Sequence, residues 1–472
     1  MLASTRRQIH QRIAQELEAQ FVGLVETQPE MVAHHYTEAG RNEQAVGYWQ
    51  RAGQQALQSS ANLEAIQHLT MGLKLLTTLP ETPARAQQDL DLQIALGLAL
   101  IATKGHGAPE VEQTYARARA LCAQVGETPQ LLPTLWGLTH FYGTRGALLT
   151  ARELGEQLYR LAQREATPTY LLEAHETLGS TLFFLGDYAA ARTHLEQGIA
   201  LTDPTAPRAL VLRYDVAPGM ACLTYAAHTL WCLGFPAQAL RRSQEALALA
   251  QALAHPHSLA QAQHFAAYLH YRRREAPAVQ AQAEALLPLA TGQGFPLWAG
   301  FGACWQGWAL AVQGQGEAGL AQLRQGMAAI LATGQELSRS FYLVLLAETA
   351  GHAGQVEEGL RLLAEALAAL EASGRGDLLA EAYRLQGELL LRQATPDAAQ
   401  AEACFQRALD VARHQQAKSW ELRAAMSLAR LWQQQGKRAE ARELLAEIYG
   451  WFTEGFDTAD LQEAKAFLET LA

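Results

Sequence analysis

The chain has 472 residues, more than one ordinary hydrophobic core accommodates, which implies several domains or an extended repeat array. Its 49% hydrophobic and 18% charged residues exclude a disordered acidic or basic tail. A formal net charge of -10 argues against a general affinity for nucleic acid, which rests on cations neutralising phosphates.

Ala, Leu, Gln, Glu and Arg, all strong helix formers, dominate the sequence, while runs of Val, Ile and Thr are scarce; an all-α protein is expected. Cys122, Cys222, Cys232, Cys304 and Cys404 form an odd set without a CxxC pair. That pattern suits reduced thiols in the cytoplasm better than a disulfide frame or a zinc site. The opening MLASTRRQIHQRIAQELE lacks the apolar core of a signal peptide. Two uncharged windows, Ala217 to Leu240 and Thr291 to Gly316, are long enough to suggest a membrane span, but both are broken by Pro, Gly and Gln or His and keep the repeat register below.

In chain order, the first expected element is a basic amphipathic helix from Thr5 to Phe21. Pro29-Glu30-Met31 opens a short helix that Gly40 ends, and helices over Gln44 to Leu57 and Asn62 to Leu79 follow before Pro80 and Pro83 interrupt. Beyond them the chain repeats. Small or β-branched residues recur in a first helix at Ala99, Thr139, Gly179, Ala227, Ala267, Gly307, Ala347, Gly387 and Ala429, spaced 40 residues apart except for steps of 48 and 42. A second helix carries the same kind of residue at Val111, Ala151, Ala191, Ala239, Val279, Gly319, Gly359, Ala401 and Ala441. Two backbones approach closely only where no large side chain holds them apart. Turns fall between the two series at Gly186-Asp187, Gly234-Phe235-Pro236, Gly314-Gln315-Gly316, Gly354-Gln355 and Gly436-Lys437, where glycine can take the left-handed conformation that ends a helix. Arg272-Arg273-Arg274 reads as a solvated helix end, with an anion or nucleic-acid contact as the sharper alternative.

This pattern resembles a tetratricopeptide (TPR) array with lengthened helices. Gly198, Ala246, Gly326, Ala366 and Ala408 fill a third small position of the TPR unit, whereas Leu158, Leu286 and Ile448 do not. HEAT or armadillo repeats share the period and are the structural alternative. The resemblance implies an all-α, TPR-like helical-repeat superhelix, an α-solenoid with repeats of about 40 residues and about twenty helices. Nine repeats are expected over 91–453, after an irregular helical stretch at 26–90 and before a capping helix at 454–472. The 48-residue step carries a proline-rich insertion at 202–219, a surface loop or a cover for the groove.

The segments RRQIHQRIA from Arg6 to Ala14 and PEMVAHHYTEAG from Pro29 to Gly40 resemble the junction between ATPase module and helical repeats in bacterial STAND-type signalling ATPases. Many of those carry an adenylate/guanylate cyclase domain. GHGAPEVE at Gly105, KRAEAR at Lys437 and WFTEGFDT at Trp451 resemble that family's tail. By this resemblance, 1–25 is the end of a preceding winged-helix/ATPase-like module, and the chain is a regulatory tail. No GxxxxGK[ST] loop and no strand-borne aspartate pair occurs, so the family's catalytic residues have no positions here; no catalytic residue and no cofactor is expected. The expected function is a non-catalytic scaffold for protein or effector binding, regulating a cyclase or ATPase in cis. A free-standing TPR adaptor and the sensor tail of a STAND transcriptional regulator are the alternatives.

No residue set has metal-ligand spacing. His34-His35 are neighbours that point about 100° apart on a helix, and His255 and His257 flank Pro256 without a further ligand nearby. In a TPR-like repeat the first helix lines the concave wall, and its inward positions select Trp136, His140, Phe183, His228, Trp231, His264, Tyr268, Tyr271, Trp308, Glu348, Arg384 and Arg430 as a candidate peptide groove. Aromatics supply large contact area at low entropic cost, though long helices can equally bury such rings between repeats. Trp298, Phe301, Trp305 and Trp308 mark one helix face that reads as core, with Trp308 towards the groove.

Overall fold

Prolines explain where many helices begin. Pro29, Pro83, Pro109, Pro168, Pro218, Pro236, Pro256 and Pro296 each open a helix at its first position, where the missing N–H costs nothing and φ is already helical. The computed structural model describes residues 2–59, 61–126, 128–203 and 216–471. Most of the 202–219 insertion, read from the sequence as a surface loop or a cover for the groove, therefore lies outside the described residues. Among the described residues there are 24 helices and no strand. The chain divides into two compact units, Met1–Phe141 and Tyr142–Ala472.

The first unit contains α1 (Leu2–Gln20), α2 (Val22–Thr27), α3 (Pro29–Glu38), α4 (Asn42–Gln58), α5 (Asn62–Leu76), α6 (Pro83–Lys104), α7 (Pro109–Val125) and most of α8 (Leu131–Thr144). Glu18 on α1 accepts hydrogen bonds from Tyr36 on α3 at 2.5 Å and Tyr48 on α4 at 2.6 Å, so one carboxylate ties three helices. His35 lies between helices, its Nδ1 2.8 Å from His10 Nδ1 on α1. The buried Tyr115 ring on α7 fills the space that Gly97 on α6 leaves, where an added Cβ would stand 2.6 Å from it.

The second unit contains α9 (Leu148–Glu165), α10 (Pro168–Leu185), α11 (Tyr188–Ala200), α12 (Pro218–Cys232), α13 (Pro236–Leu253), α14 (Pro256–Arg272), α15 (Ala276–Gln293), α16 (Pro296–Val312), α17 (Gly316–Leu331), α18 (Leu337–His352), α19 (Val356–Ser373), α20 (Leu379–Leu391), α21 (Ala398–His414), α22 (Lys418–Gln434), α23 (Arg438–Tyr449) and α24 (Ala459–Leu471). Every residue of the two small-residue series is buried. The reason is plainest between α16 and α17. A Cβ on Gly307 would lie 2.8 Å from the Gly319 carbonyl oxygen, and one on Gly326 2.8 Å from the Gly300 carbonyl oxygen. These backbones touch, which no side chain larger than hydrogen permits. The turn glycines 186, 234, 314, 354 and 436 all have φ between +76° and +91°. The fold is an all-α, TPR-like helical-repeat solenoid.

The two helices of each repeat occupy different layers. Successive first helices, α10, α12, α14, α16, α18, α20, α22 and α24, pack against one another. They form the inner layer: α12 buries every residue except Tyr225. The second helices bury only a stripe, as α13 does with Ala239, Ser243, Ala246, Ala250 and Leu253 at spacings of four and three. No helix among the described residues is long and apolar enough to cross a membrane.

Candidate binding wall of the second unit

The small rotation between repeats accumulates until the inner layer meets itself. The C-terminal ends of α10, α12 and α14 lie against the N-terminal ends of α20, α22 and α24, about five repeats further on. Gly376 N–H donates to the Phe184 carbonyl at 2.9 Å, and Ser419 Oγ donates to the Trp231 carbonyl at 2.5 Å. Arg274 pairs with Asp460 at 3.3 Å and with Glu463 at 2.8 Å. Cations sit where α14 ends and Asp460 sits where α24 begins, an arrangement that both helix dipoles favour.

At the centre of this seam is Arg272, which is 0% exposed. Its guanidinium carbon stands 4.4 Å from the Tyr268 ring centroid, 5.4 Å from those of Phe183 and Trp231, and 5.6 Å from that of Trp420. It donates to Tyr268 Oη at 2.8 Å and lies 3.7 Å from the Asp377 carboxylate. Arg375 takes both oxygens of that carboxylate, at 2.7 and 3.2 Å. Burial opposes the charge on Arg272, but Tyr268, Cys232 and Asp377 outweigh it and hold its pKa above the ordinary arginine value. The three-arginine run is therefore not a solvated helix end. Arg272 and Arg273 are buried, because closure of the turn brings α22 and the 374–377 loop over the end of α14.

The residues singled out from sequence fall into separate groups. Phe183, His228, Trp231 and Tyr268 come together around Arg272, with the His228 ring 4.8 Å from that of Tyr268. His264, Tyr271 and Trp308 continue the ring system through Trp305, whose indole N–H donates to His264 Nδ1 at 3.0 Å. Burial pushes the His264 imidazole down to about 3, so it stays a neutral acceptor for that bond. All seven are buried in the closed turn. Trp298, Phe301 and Trp305 are likewise core. Glu348 is half-buried and accepts from Tyr271 Oη at 2.8 Å. Arg384 is held by both oxygens of Glu381, each at 2.7 Å. Arg430 is exposed and pairs with Glu463 at 3.3 Å. Trp136 and His140 belong to the first unit, where their rings lie 4.5 Å apart beside His106. Among the described residues no group of three or more His, Cys, Asp or Glu is placed to hold a metal ion.

Sequence reasoning missed Asp377, Arg375, Trp420, Arg423 and Glu454. One signal was present: GRGD, Gly374 to Asp377, sets a cation and an anion into a turn between two apolar helices. Glu454, within WFTEGFDT, accepts from the backbone N–H groups of Ala237 and Gln238, both at 3.0 Å, and so caps α13 from more than two hundred residues away.

An inner layer of first helices and an outer layer of second helices define a helical-repeat solenoid, and one solved structure shares that fold. The chain is 11% identical to a Rap protein solved in complex with competence and sporulation factor, with a TM-score of 0.53 over 84% of this chain and 99% of that one. It is 13% identical to a signal-transduction ATPase with a tetratricopeptide-repeat sensor from Pyrococcus horikoshii, with a TM-score of 0.36 over 85% of this chain and 67% of that one. No protein-family model matches the chain. An uncharacterized protein of Rhizobium meliloti (strain 1021) is 24% identical over 403 residues, 85% of this chain; the match spans 39% of that relative's length.

Proposed function

We propose that the chain is a non-catalytic, cytoplasmic TPR-like scaffold that binds a protein or peptide on the inner wall of its second unit. The observation that carries this reading is the wall itself. Phe183, Trp231, Tyr268, Tyr271 and Trp308 concentrate on the inner layer of a solenoid, beside polar groups at Glu348 and Arg384. Aromatic rings with a few fixed polar partners are what binding hot spots are made of. The Rap protein, which shares the fold, was solved with a bound factor, and that supports the reading by analogy. In the closed turn these rings contact one another, so a partner would replace intramolecular contacts with its own.

The test is a peptide-library selection on the intact chain, followed by affinity measurements. Trp231→Ala with Tyr268→Ala is expected to lower the affinity of selected peptides by about thirtyfold, the scale of a 2 kcal/mol hot spot. Because both rings are core, Trp231→Phe and Tyr268→Phe serve as the folded controls and are expected to weaken binding by less. Unchanged affinity in all the folded variants would sink the inner-wall reading.

We further propose that this scaffold regulates a nucleotide-cyclase or ATPase module in cis, with 1–25 as the end of that preceding module, 26–90 as irregular repeats, 91–453 as the repeat array and 454–472 as its cap. The likenesses of Arg6–Ala14 and WFTEGFDT to STAND-type ATPases support this. A ligand-driven change of superhelix pitch would be the signal, provided the partner prefers one state. An immunoblot of source-cell lysate with an antibody against Glu381–Ala472 is expected to show a band more than twice the 51.5 kDa of this chain. A band at 51.5 kDa would instead support the free-standing adaptor.

A further inference from the structure

The seam that closes the second unit has an inner part and an outer part, and they differ in kind. The inner part is the dry cage around Arg272 and Asp377, both 0% exposed. The outer part is one short segment, Trp451–Asp460, laid across the turn between α12 and α13. Glu454 caps α13, and its other oxygen accepts from Gln238 Nε2 at 3.1 Å. The Trp451 ring packs edge-on against Phe235 at 5.5 Å and lies over Gly234, and Gly455 sits on Pro236. Asp460 joins Arg274 to Arg423. Glycine is required on both sides of the joint, since a Cβ at either Gly234 or Gly455 would collide with the opposing ring.

Two features make this outer part the easier one to open. Its groups reach solvent: Trp451 and Phe456 are large apolar side chains left partly exposed, and Arg274 is 45% exposed, so its ion pairs are screened as surface pairs are. The turn that it grips through Asp460 is also strained. Arg274 occupies the turn position that Gly234, Gly314 and Gly354 occupy in neighbouring repeats, and it holds φ at +62° without being glycine. A glycine would relieve that strain but would remove the guanidinium that reaches Asp460 and Glu463.

We infer that Trp451–Asp460 is a releasable clasp, which closes the superhelical turn over the inner wall and admits a partner to that wall when it lets go. This rests on the inner wall being the binding surface, so its test needs no partner. Two native thiols report on it. Cys232, at the end of α12, lies 3.3 Å from Arg272 Nη1 at the seam, while Cys304 is in the middle of α16; both are fully buried. The chain is exposed to N-ethylmaleimide under native conditions, and the two sites are quantified by mass spectrometry. In Glu454→Ala with Arg274→Ala, labelling of Cys232 relative to Cys304 is expected to rise at least about tenfold over the native chain, as local opening raises exposure without global unfolding. Glu454→Gln, the gentler variant, is expected to give a smaller rise of the same sign. An unchanged ratio in both variants overturns the clasp. A raised ratio together with unaltered peptide affinity in the Trp231 and Tyr268 variants would uphold the clasp and refute the binding wall.

Discussion

Asp377→Ala is expected to destabilise the second unit by about 3–5 kcal/mol, the cost of leaving buried cations without their counter-ion. Asp377 is fully buried, gives both oxygens to Arg375 and lies 3.7 Å from Arg272. Arg272 can lean on four aromatic rings, and a desolvated cation–π contact is worth about 2 kcal/mol or more. Arg375 has one such ring, Phe184 at 5.1 Å, with the Leu337 carbonyl at 2.5 Å and Ser340 Oγ at 3.3 Å as further acceptors. The rings therefore soften the loss for Arg272 far more than for Arg375. Removing both partners, in Asp377→Ala with Arg375→Met, is expected to recover part of the stability, because an apolar pair need not be solvated. Arg274→Ala breaks two pairs at the wet rim and is expected to cost about 1 kcal/mol or less. Urea denaturation monitored by tryptophan fluorescence measures the three variants against the native chain. A loss below about 1 kcal/mol for Asp377→Ala would mean that the cage does not hold the seam.

Gly319→Ala sets two opposing effects against each other. Alanine is a better helix former than glycine by about 1 kcal/mol, so in an open helix the change stabilises. At position 319 the new methyl would strike the Gly307 carbonyl oxygen and stand 2.9 Å from the Ala311 backbone nitrogen. Backbone atoms cannot rotate away, so α16 and α17 must separate along their length. Overpacking of this kind costs about 1–3 kcal/mol and more when backbone is involved, so the clash wins. The expected net loss is about 1–2 kcal/mol, and Gly319→Leu is expected to prevent native packing of the pair. The internal control is Gly292→Ala on α15, where nothing lies within 4 Å of the added methyl, and where a gain of a few tenths to about 1 kcal/mol is expected. If Gly319→Ala matched Gly292→Ala in sign, the small-residue series would not mark close helix contacts.

The contrast between those two glycines shows what the sequence by itself determined. Helices, their proline starts, their glycine ends and the closely packed faces at Gly307, Gly319 and Ala347 are set by interactions a few residues apart or between adjacent helices, so their pattern recurs every 40 residues and can be read off. The candidate wall was legible only in part. Phe183, Trp231 and Tyr268 were found because they keep the repeat register, but register says which helix face they occupy and not what covers it. What only the tertiary structure decided is the closure of the second unit. Gly376 meets Phe184, Ser419 meets Trp231 and Arg274 meets Asp460, over separations near 190 residues. Those meetings depend on a pitch that accumulates from small rotations at each repeat, and no local pattern encodes their sum. That is why Arg272, which by itself has the look of a solvated helix end, becomes the most buried charge of the seam.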